Sequence, residues 1–550
     1  MRHSYRPDLP PQPHAYRTQV LDHLGLVAGM LEELGITEVI DKATQQDPEM
    51  RIVTAGHAVK AMVLNGLGFL NQQLYLVPHF FQNKPISRLI APGILASHLN
   101  DDTLGRALDT LYDFGVTALD SLIAATAARR LGLTPTFTHL DTTSCHVDGR
   151  YNSDEAPDEQ VVHITQGYSR DHRPDLNQVM LELIVEHQAG IPLLMKPLSG
   201  NSSDGKVFGQ VVSDHIAQLQ TTYSPTYLVA DSALYNADNL QKLADTSLKW
   251  ITRVPATLTE AQEVLAQAQP ETMDSLPDGY RYAVVASSYG GVAQRWVLFY
   301  SEHRQPQAQR TVDKQWRKQS DQEGRAFKTL CRTAFACEAD AQQALTSFGA
   351  GLQTTFRHDS TVCPTPHDGK RGRPGPGAQP DQRVYPMTGA LASRLTDRRA
   401  RIDQQSCFIL ATNELDEGQL SSQAVLDGYK GQARAERGFR FLKDPQFLAS
   451  SLYLKKPERV MALLMVMTVC LLVYAALEYR IRNALKDNEA TFPNQKGKRI
   501  QHPTARWVFH YFVGIHVLRI PGQPYIVLNL TEEHLHLLQL LGKRYVWFYR

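Results

Sequence analysis

The sequence predicts an α/β protein: a helical N-terminal block, a mixed sheet, and a large α+β insertion before a last strand and helix. Three observations carry that reading. Residues 17–130 repeat apolar side chains at three- and four-residue steps, as amphipathic helices do. From Thr136 the pattern changes to Thr, aromatic and β-branched residues, then alternates strand with helix. Over residues 256–403 that alternation stops, and SCFILATNE resumes it.

In order, VLDHLGLVAGMLEELG reads as a helix ending at Gly35, HAVKAMVLNGLGFL as a second, and NDDTLGRALDTLYDFG as a third, capped by Asn100 or Asp101 and stopped at Gly115. TFTHLDTTSCHV is the first strand. VMLELIVEH and IPLLMKPLSG are two more, joined by the turn Gln188-Ala189-Gly190. SDGKVFGQVVSDHIAQLQ is an amphipathic helix, TYLVADS a buried strand ending in an acid, NADNLQKLADT a helix and LKWITRVP a strand. The first three strands are expected as an antiparallel meander, the later ones as parallel additions through crossover helices. The insertion holds a helix (LTEAQEVLAQ), a hairpin turning at Gly290-Gly291, a long helical stretch, and a linker over 364–382 too rich in Pro and Gly to fold alone. The expected domains are 1–130, 131–255 and 404–480 for the two parts of the sheet core, 256–403 for the insertion, and a C-terminal segment over 481–550.

Composition narrows the function. At 550 residues, 43% hydrophobic and 21% charged, the chain suits a soluble globular protein of more than one domain. Its net charge is only +1, so a nucleic-acid partner must be met by local patches. The six cysteines are scattered without a CxxC pair, against a zinc site or a disulfide framework; Cys331 and Cys337 read as packed thiols. The N-terminal stretch lacks the apolar core of a signal peptide, which makes the cytoplasm the expected compartment. Val460 to Leu477 is apolar enough to be weighed as a membrane span, but is read as a helix buried on all sides.

Two acids stand out by position. Asp141 lies mid-strand in HLDTTS, and Asp231 ends YLVADS. A carboxylate in a buried sheet is costly unless paired or metal-bound, although either could instead cap a turn. A third, Glu436, sits in YKGQARAERGFRFLKDP among Lys430, Arg434, Arg437, Arg440 and Lys443. It could be a solvated residue, an arginine partner, or a metal ligand in a site built for a polyanion. Three such carboxylates can hold two Mg²⁺ ions about 4 Å apart, the arrangement of phosphodiester chemistry, within a cationic surround. On one continuous helix, Tyr429, Gln432, Glu436 and Lys443 would share a face.

With these residues in place, the chain resembles bacterial insertion-sequence DDE transposases, of the family whose last motif reads Tyr, two residues, Arg, three residues, Glu, six residues, Lys. Here that motif falls on Tyr429, Gln432, Glu436 and Lys443. Gln432 holds the arginine place, a departure that leaves nearby Arg434 as the candidate for that phosphate contact. Asp141 and Asp231 match the family's first and second acids. The resemblance implies an RNase H-like core with a large insertion before the Glu helix, and catalysis by Asp141, Asp231 and Glu436 with Mg²⁺, or Mn²⁺ in its place. It implies cleavage at terminal inverted repeats, strand transfer into target DNA, and a homodimer in a synaptic complex, with no membrane partner.

Other features are weaker. His139, His146 and Asp148 flank Asp141 but read as structural. Arg170 and Arg173, in GYSRDHRPD, are candidates for phosphate contact. In the insertion, Arg304, Arg310, Lys314, Arg317, Lys318, Arg325, Lys328 and Arg332 surround Trp316, a mix that suits DNA backbone contact and base stacking, or a salt-bridged helix. Trp296 reads as core. KRGRPG, Lys370 to Gly375, resembles a minor-groove hook. Residues 1–130 are the candidate for end recognition or for dimerisation. The competing functions are an RNase H-like nuclease without strand transfer and a catalytically silent DNA-binding protein.

Overall fold

The computed structural model describes residues 17–47, 51–69, 74–147, 151, 161–168, 173–202, 227–367, 382–443, 454–520 and 524–550. The expected helix over 203–220, the KRGRPG stretch, Asp148 and Arg170 lie outside the described residues. The chain forms two units. One comprises residues 1–252, 289–292 and 424–550, the other 253–288 and 293–423.

The first unit begins with helices α1 (Leu24–Leu34), α2 (Ile36–Ala43), α3 (Ala55–Gly66), α4 (Asp101–Phe114) and α5 (Val116–Arg130). Their ends follow the sequence. Gly35 takes a left-handed φ of 63°, and the side chains of Thr54 and Asn100 accept the first free N–H groups of α3 and α4. Strands β1 (Phe137–Val147), β2 (Asn177–Glu186), β3 (Pro192–Leu198), β4 (Tyr227–Ala230) and, after helix α6 (Ala237–Ala244), β5 (Lys249–Arg253) form the sheet. Its order is β3-β2-β1-β4-β5. The pairs β1–β2 and β2–β3 are antiparallel, and β1–β4 and β4–β5 are parallel, as expected of a meander extended by crossovers.

The second unit is the insertion, and it is α+β. Helix α7 (Thr259–Ala266) precedes the hairpin strands β6 (Tyr280–Tyr289) and β7 (Val292–Ser301). Both residues of the hairpin turn have positive φ, Gly290 at 61° and Gly291 at 77°. Then come helices α8 (Gln305–Arg332) and α9 (Glu338–Ala350), strands β8 (Thr355–Val362) and β9 (Met387–Ser393), helix α10 (Leu395–Ser406) and strand β10 (Cys407–Thr412). Strand β10 pairs with β7, Cys407 opposite Tyr300 through Thr412 opposite Arg295, so the first unit resumes only at Ala424.

Two expectations about the insertion need correction. Trp316 offers no stacking platform: the helical period of α8 puts it in a core with Ala308, Val312 and Ile402, its Nε1 donating to Ser393 Oγ at 3.1 Å. Cys337 is exposed, and its sulfur caps α9 by accepting from the Asp340 N–H. Cys331 is half-buried beside the Phe327 cluster, and Trp296 is buried, both as expected.

The first unit closes with α11 (Ser422–Lys430), α12 (Ala433–Leu442), α13 (Pro457–Asp487), α14 (Glu532–Leu541) and α15 (Lys543–Phe548). By length and composition α13 would cross a membrane, but 94% of its apolar window is buried inside the protein. It packs against α1, α3, α4, α5 and β3. The N-terminal helices therefore share one core with the C-terminal ones.

Candidate functional site

The strongest geometric relation joins β1 and β4. Their parallel register runs from Phe137 opposite Tyr227 to Leu140 opposite Ala230. The next residue on each strand is an acid, Asp141 on β1 and Asp231 just past β4. Neighbouring strands stand about 4.8 Å apart, so the two carboxylates leave the backbone side by side. Asp141 is buried and Asp231 half-buried. Each accepts a nearby N–H: Asp141 Oδ1 from Thr142 at 2.8 Å, Asp231 Oδ1 from Ala233 at 2.9 Å. The Asp231 backbone is fixed further by Thr252, whose hydroxyl donates to its carbonyl at 2.7 Å.

The basic segment is two helices, not the single helix expected. Its hydrogen-bond ladder tightens at Gly431 and Gln432, where the Gln432 N–H turns back to the Tyr429 carbonyl at 3.1 Å. Glycine is required there by space. A Cβ on Gly431 would stand 2.7 Å from His139 Nε2, and one on Gly428 2.9 Å from the Phe137 ring. Phe137, His139 and Asp141 share one face of β1 by alternation. The two glycines thus press this segment onto that face, and α12 continues over β1 and β2. His139 is wholly buried beneath the junction.

Glu436 lies in the first turn of α12 and is exposed on its flank, whereas Phe439 and Leu442 fill the underside. Lys443, which caps α12, is seven residues on and lies within about 20° of that flank. Among the described residues no group of three or more His, Cys, Asp or Glu side chains stands assembled to hold a metal ion. The donor chemistry nevertheless suits a hard divalent cation, with carboxylate oxygens throughout.

The expected phosphate contacts divide. Tyr429 and Lys443 are half-exposed, and Arg437 and Arg440 are exposed beside them. Gln432 is only 8% exposed, which leaves its amide little room to meet a phosphate directly. Arg173 is exposed but spans Asp175 through two hydrogen bonds, of 3.0 and 2.9 Å, and holds that carboxyl below its usual range. The side chain of Arg434 lies outside what is described. The packing of α13 into the N-terminal helices and the glycine-lined junction were not read from the sequence; the small residues at 428 and 431 were the available signal for the second.

Comparison with known proteins gives two family matches. The model described as "Transposase DDE domain" matches residues 140–473, and a domain of unknown function matches residues 16–125. No curated protein matches the chain. Among solved structures it is similar to a piggyBac transposase synaptic complex with hairpin DNA, determined by cryo-EM. That likeness has 10% identity and a TM-score of 0.36 over 90% of this chain and 80% of that one.

Proposed function

Since the chain belongs to the transposase DDE-domain family, we propose that it cuts DNA at the ends of an insertion sequence and joins those ends to target DNA, using Asp141, Asp231 and Glu436. The carrying observation is the register of β1 and β4, which sets Asp141 and Asp231 at one level of adjacent strands. The glycine junction that holds α11 and α12 on the same strand supports Glu436 as the third acid.

DDE transposases depend on divalent metal, and the reading here is two Mg²⁺ ions, with Mn²⁺ as a substitute. Bound between these acids, they would activate water or a 3′-hydroxyl and stabilise the leaving oxygen. The chain's own part is positional. Two backbone N–H bonds and Thr252 orient the aspartates. Lys443 and Tyr429 lie along the DNA phosphates, with nearby Arg434 making the phosphate contact that Gln432, in the arginine place, cannot. Arg170 and Arg173 are secondary contacts, Arg173 after release from Asp175. The DNA partners are the terminal inverted repeats and the target duplex, with two copies of the chain in the synaptic complex. The burial of α13 argues against a membrane span, and a DNA-acting protein of this kind would work in the cytoplasm, at the nucleoid.

The test is incubation of the purified chain with duplexes carrying the element ends, with Mg²⁺ or with chelator. Metal-dependent nicking at the ends followed by joined products is expected. Nicking without joined products would leave a nuclease, and neither activity with intact binding would leave a silent DNA-binding protein.

A further inference from the structure

The 28-residue helix α8 carries seven basic residues that the site above does not use: Arg310, Lys314, Arg317, Lys318, Arg325, Lys328 and Arg332. At about 100° per residue all seven fall within an arc of roughly 100°. Every one of them is exposed. The opposite side of the helix holds Ala308, Val312, Trp316, Glu323 and Phe327, which are buried. Helix α8 packs on α10 and β9, so the basic arc is the face turned to solvent.

A salt-bridged helix would look the same in sequence, and the structure separates the two. Among the described residues of this unit, Arg281, Arg295, Arg394, Arg398 and Arg399 do form ion pairs. Among the described residues none of the seven on the arc forms one. Arg325 alone is engaged, its Nε donating to the Asp321 carbonyl within the helix. One acid, Asp321, shares the arc. A protein of net charge +1 thus gathers a local excess of about six positive charges on one straight rod.

We propose that this arc is a docking ridge for the phosphate backbone of duplex DNA. The inference rests on the reading of the chain as a DNA-acting transposase and adds to it a surface in the insertion. The residues form two groups, Arg310 to Lys318 and Arg325 to Arg332, with centres about 20 Å apart at 1.5 Å per residue. A rod of that spacing spans a major groove about 12 Å wide and reaches the phosphates of both strands. A flexible single strand offers no matching pair of rails. Contact of this kind is blind to sequence, so the ridge positions DNA without choosing the ends.

The experiment measures binding of the full chain to a mixed-sequence duplex across a salt series. Each phosphate contact contributes about 0.9 to the slope of log affinity against log salt. The K314Q/K318Q/K328Q triple variant should lose about 2 to 3 from that slope and weaken binding on the order of tenfold or more at low salt. A triple variant with arginine at the same positions should keep the wild-type slope, as should K242Q/K486Q/K543Q, which removes three exposed lysines elsewhere. A wild-type slope in the glutamine variant would overturn the ridge alone. Failure of the wild-type chain to bind duplex would overturn the DNA-acting reading as well. An equal loss on single-stranded DNA would overturn the duplex as the partner.

Discussion

Asp141 and Asp231 each follow directly on a register pair, Leu140 and Ala230, of neighbouring parallel strands, and so leave the sheet at the same level. Replacement of either by Ala, or of Glu436 by Ala, is expected to abolish metal-dependent cleavage while DNA binding persists, because positioning comes from basic contacts. The loss should exceed the roughly 10–100-fold typical of removing a residue that merely supports a metal ligand. A single-turnover assay decides each residue separately: cleavage near the wild-type rate removes that acid from the site.

Gly431→Ala should destabilise the protein although alanine is the better helix former. Its methyl would meet His139 Nε2 at 2.7 Å and the Gly428 carbonyl at 3.0 Å, and the His139 ring is fully buried. Overpacking of this kind costs about 1–3 kcal/mol, and at the junction between the two helices alanine recovers little helix propensity in return. Cleavage should fall with it, since α12 carries Glu436. A denaturant melt of Gly431→Ala with and without His139→Ala tests the contact: without recovery in the double variant, the close approach is not the cause.

These two cases show what was legible in the sequence. Strand residues of period two bracket Asp141, and a short apolar run stops at Asp231, so both positions could be read from local pattern. The exact register between β1 and β4 joins residues far apart in the chain, which no local pattern encodes, and it emerged only from the fold. The break at Gly431 was hidden for a different reason. Periodicity there suits one continuous helix, and only the tertiary approach of His139 demands a residue without Cβ. Trp316 could not be placed from composition, because aromatic residues among cations suit stacking on bases and packing in a core equally well; the phase of Ala308 and Val312 settles it.

Asp120, on α5, is fully buried, and burial pushes its carboxyl up to about 8 against a smaller opposing pull from the Met195 N–H. The folded chain therefore holds this proton across a range in which the unfolded chain has released it. Stability is expected to fall as pH rises from about 4 to 8, with the penalty absent below the unfolded value. At 1.36 kcal/mol per unit this penalty is on the order of 5 kcal/mol at its upper end. Asp120→Asn should raise Tm at pH 8 more than at pH 5 and flatten the dependence. An equal Tm change at both values would show that the carboxyl does not titrate in this window.

Glu323 has the opposite sign. Burial would raise its pKa, but hydrogen bonds from Thr355, Gln353, Gln319 and Thr354 outweigh it and hold the carboxyl at about 2. The Thr355 hydroxyl donates to Oε2 at 2.6 Å and the Gln353 N–H to Oε1 at 2.9 Å, tying α8 to the start of β8. This depressed value stabilises the insertion above about pH 4.5, and the contribution is lost as pH falls toward 2. Glu323→Gln should cost about 2 kcal/mol at pH 7 and much less near pH 2. Urea melts at the two pH values measure it, and a pH-independent cost would point to packing instead of charge.

Residues 17–130 should not fold when expressed alone, despite reading as a self-contained helical domain. Helix α1 is buried at nine of its positions, from Leu24 to Leu34, more than the stripe a surface helix hides. Part of its cover is foreign to the block: α13 and α15 both pack on it. The joins are polar as well as apolar. Arg459 on α13 grips Asp109 on α4 through two bonds of 2.7 Å, Arg480 reaches Glu33 at 3.1 Å, and the Tyr545 hydroxyl donates to Glu33 at 2.6 Å. Cutting the chain after residue 130 leaves that apolar surface in water at about 25 cal/mol for each Å² and leaves Glu33 and Asp109 without these partners. A polypeptide joining residues 17–130 to 454–550 through a flexible linker should melt cooperatively, where 17–130 alone gives no cooperative transition by circular dichroism. A cooperative, helical melt of the short fragment would show that the C-terminal helices are a cover laid over a finished domain. It would also reopen that domain as an independent candidate for recognising the element ends.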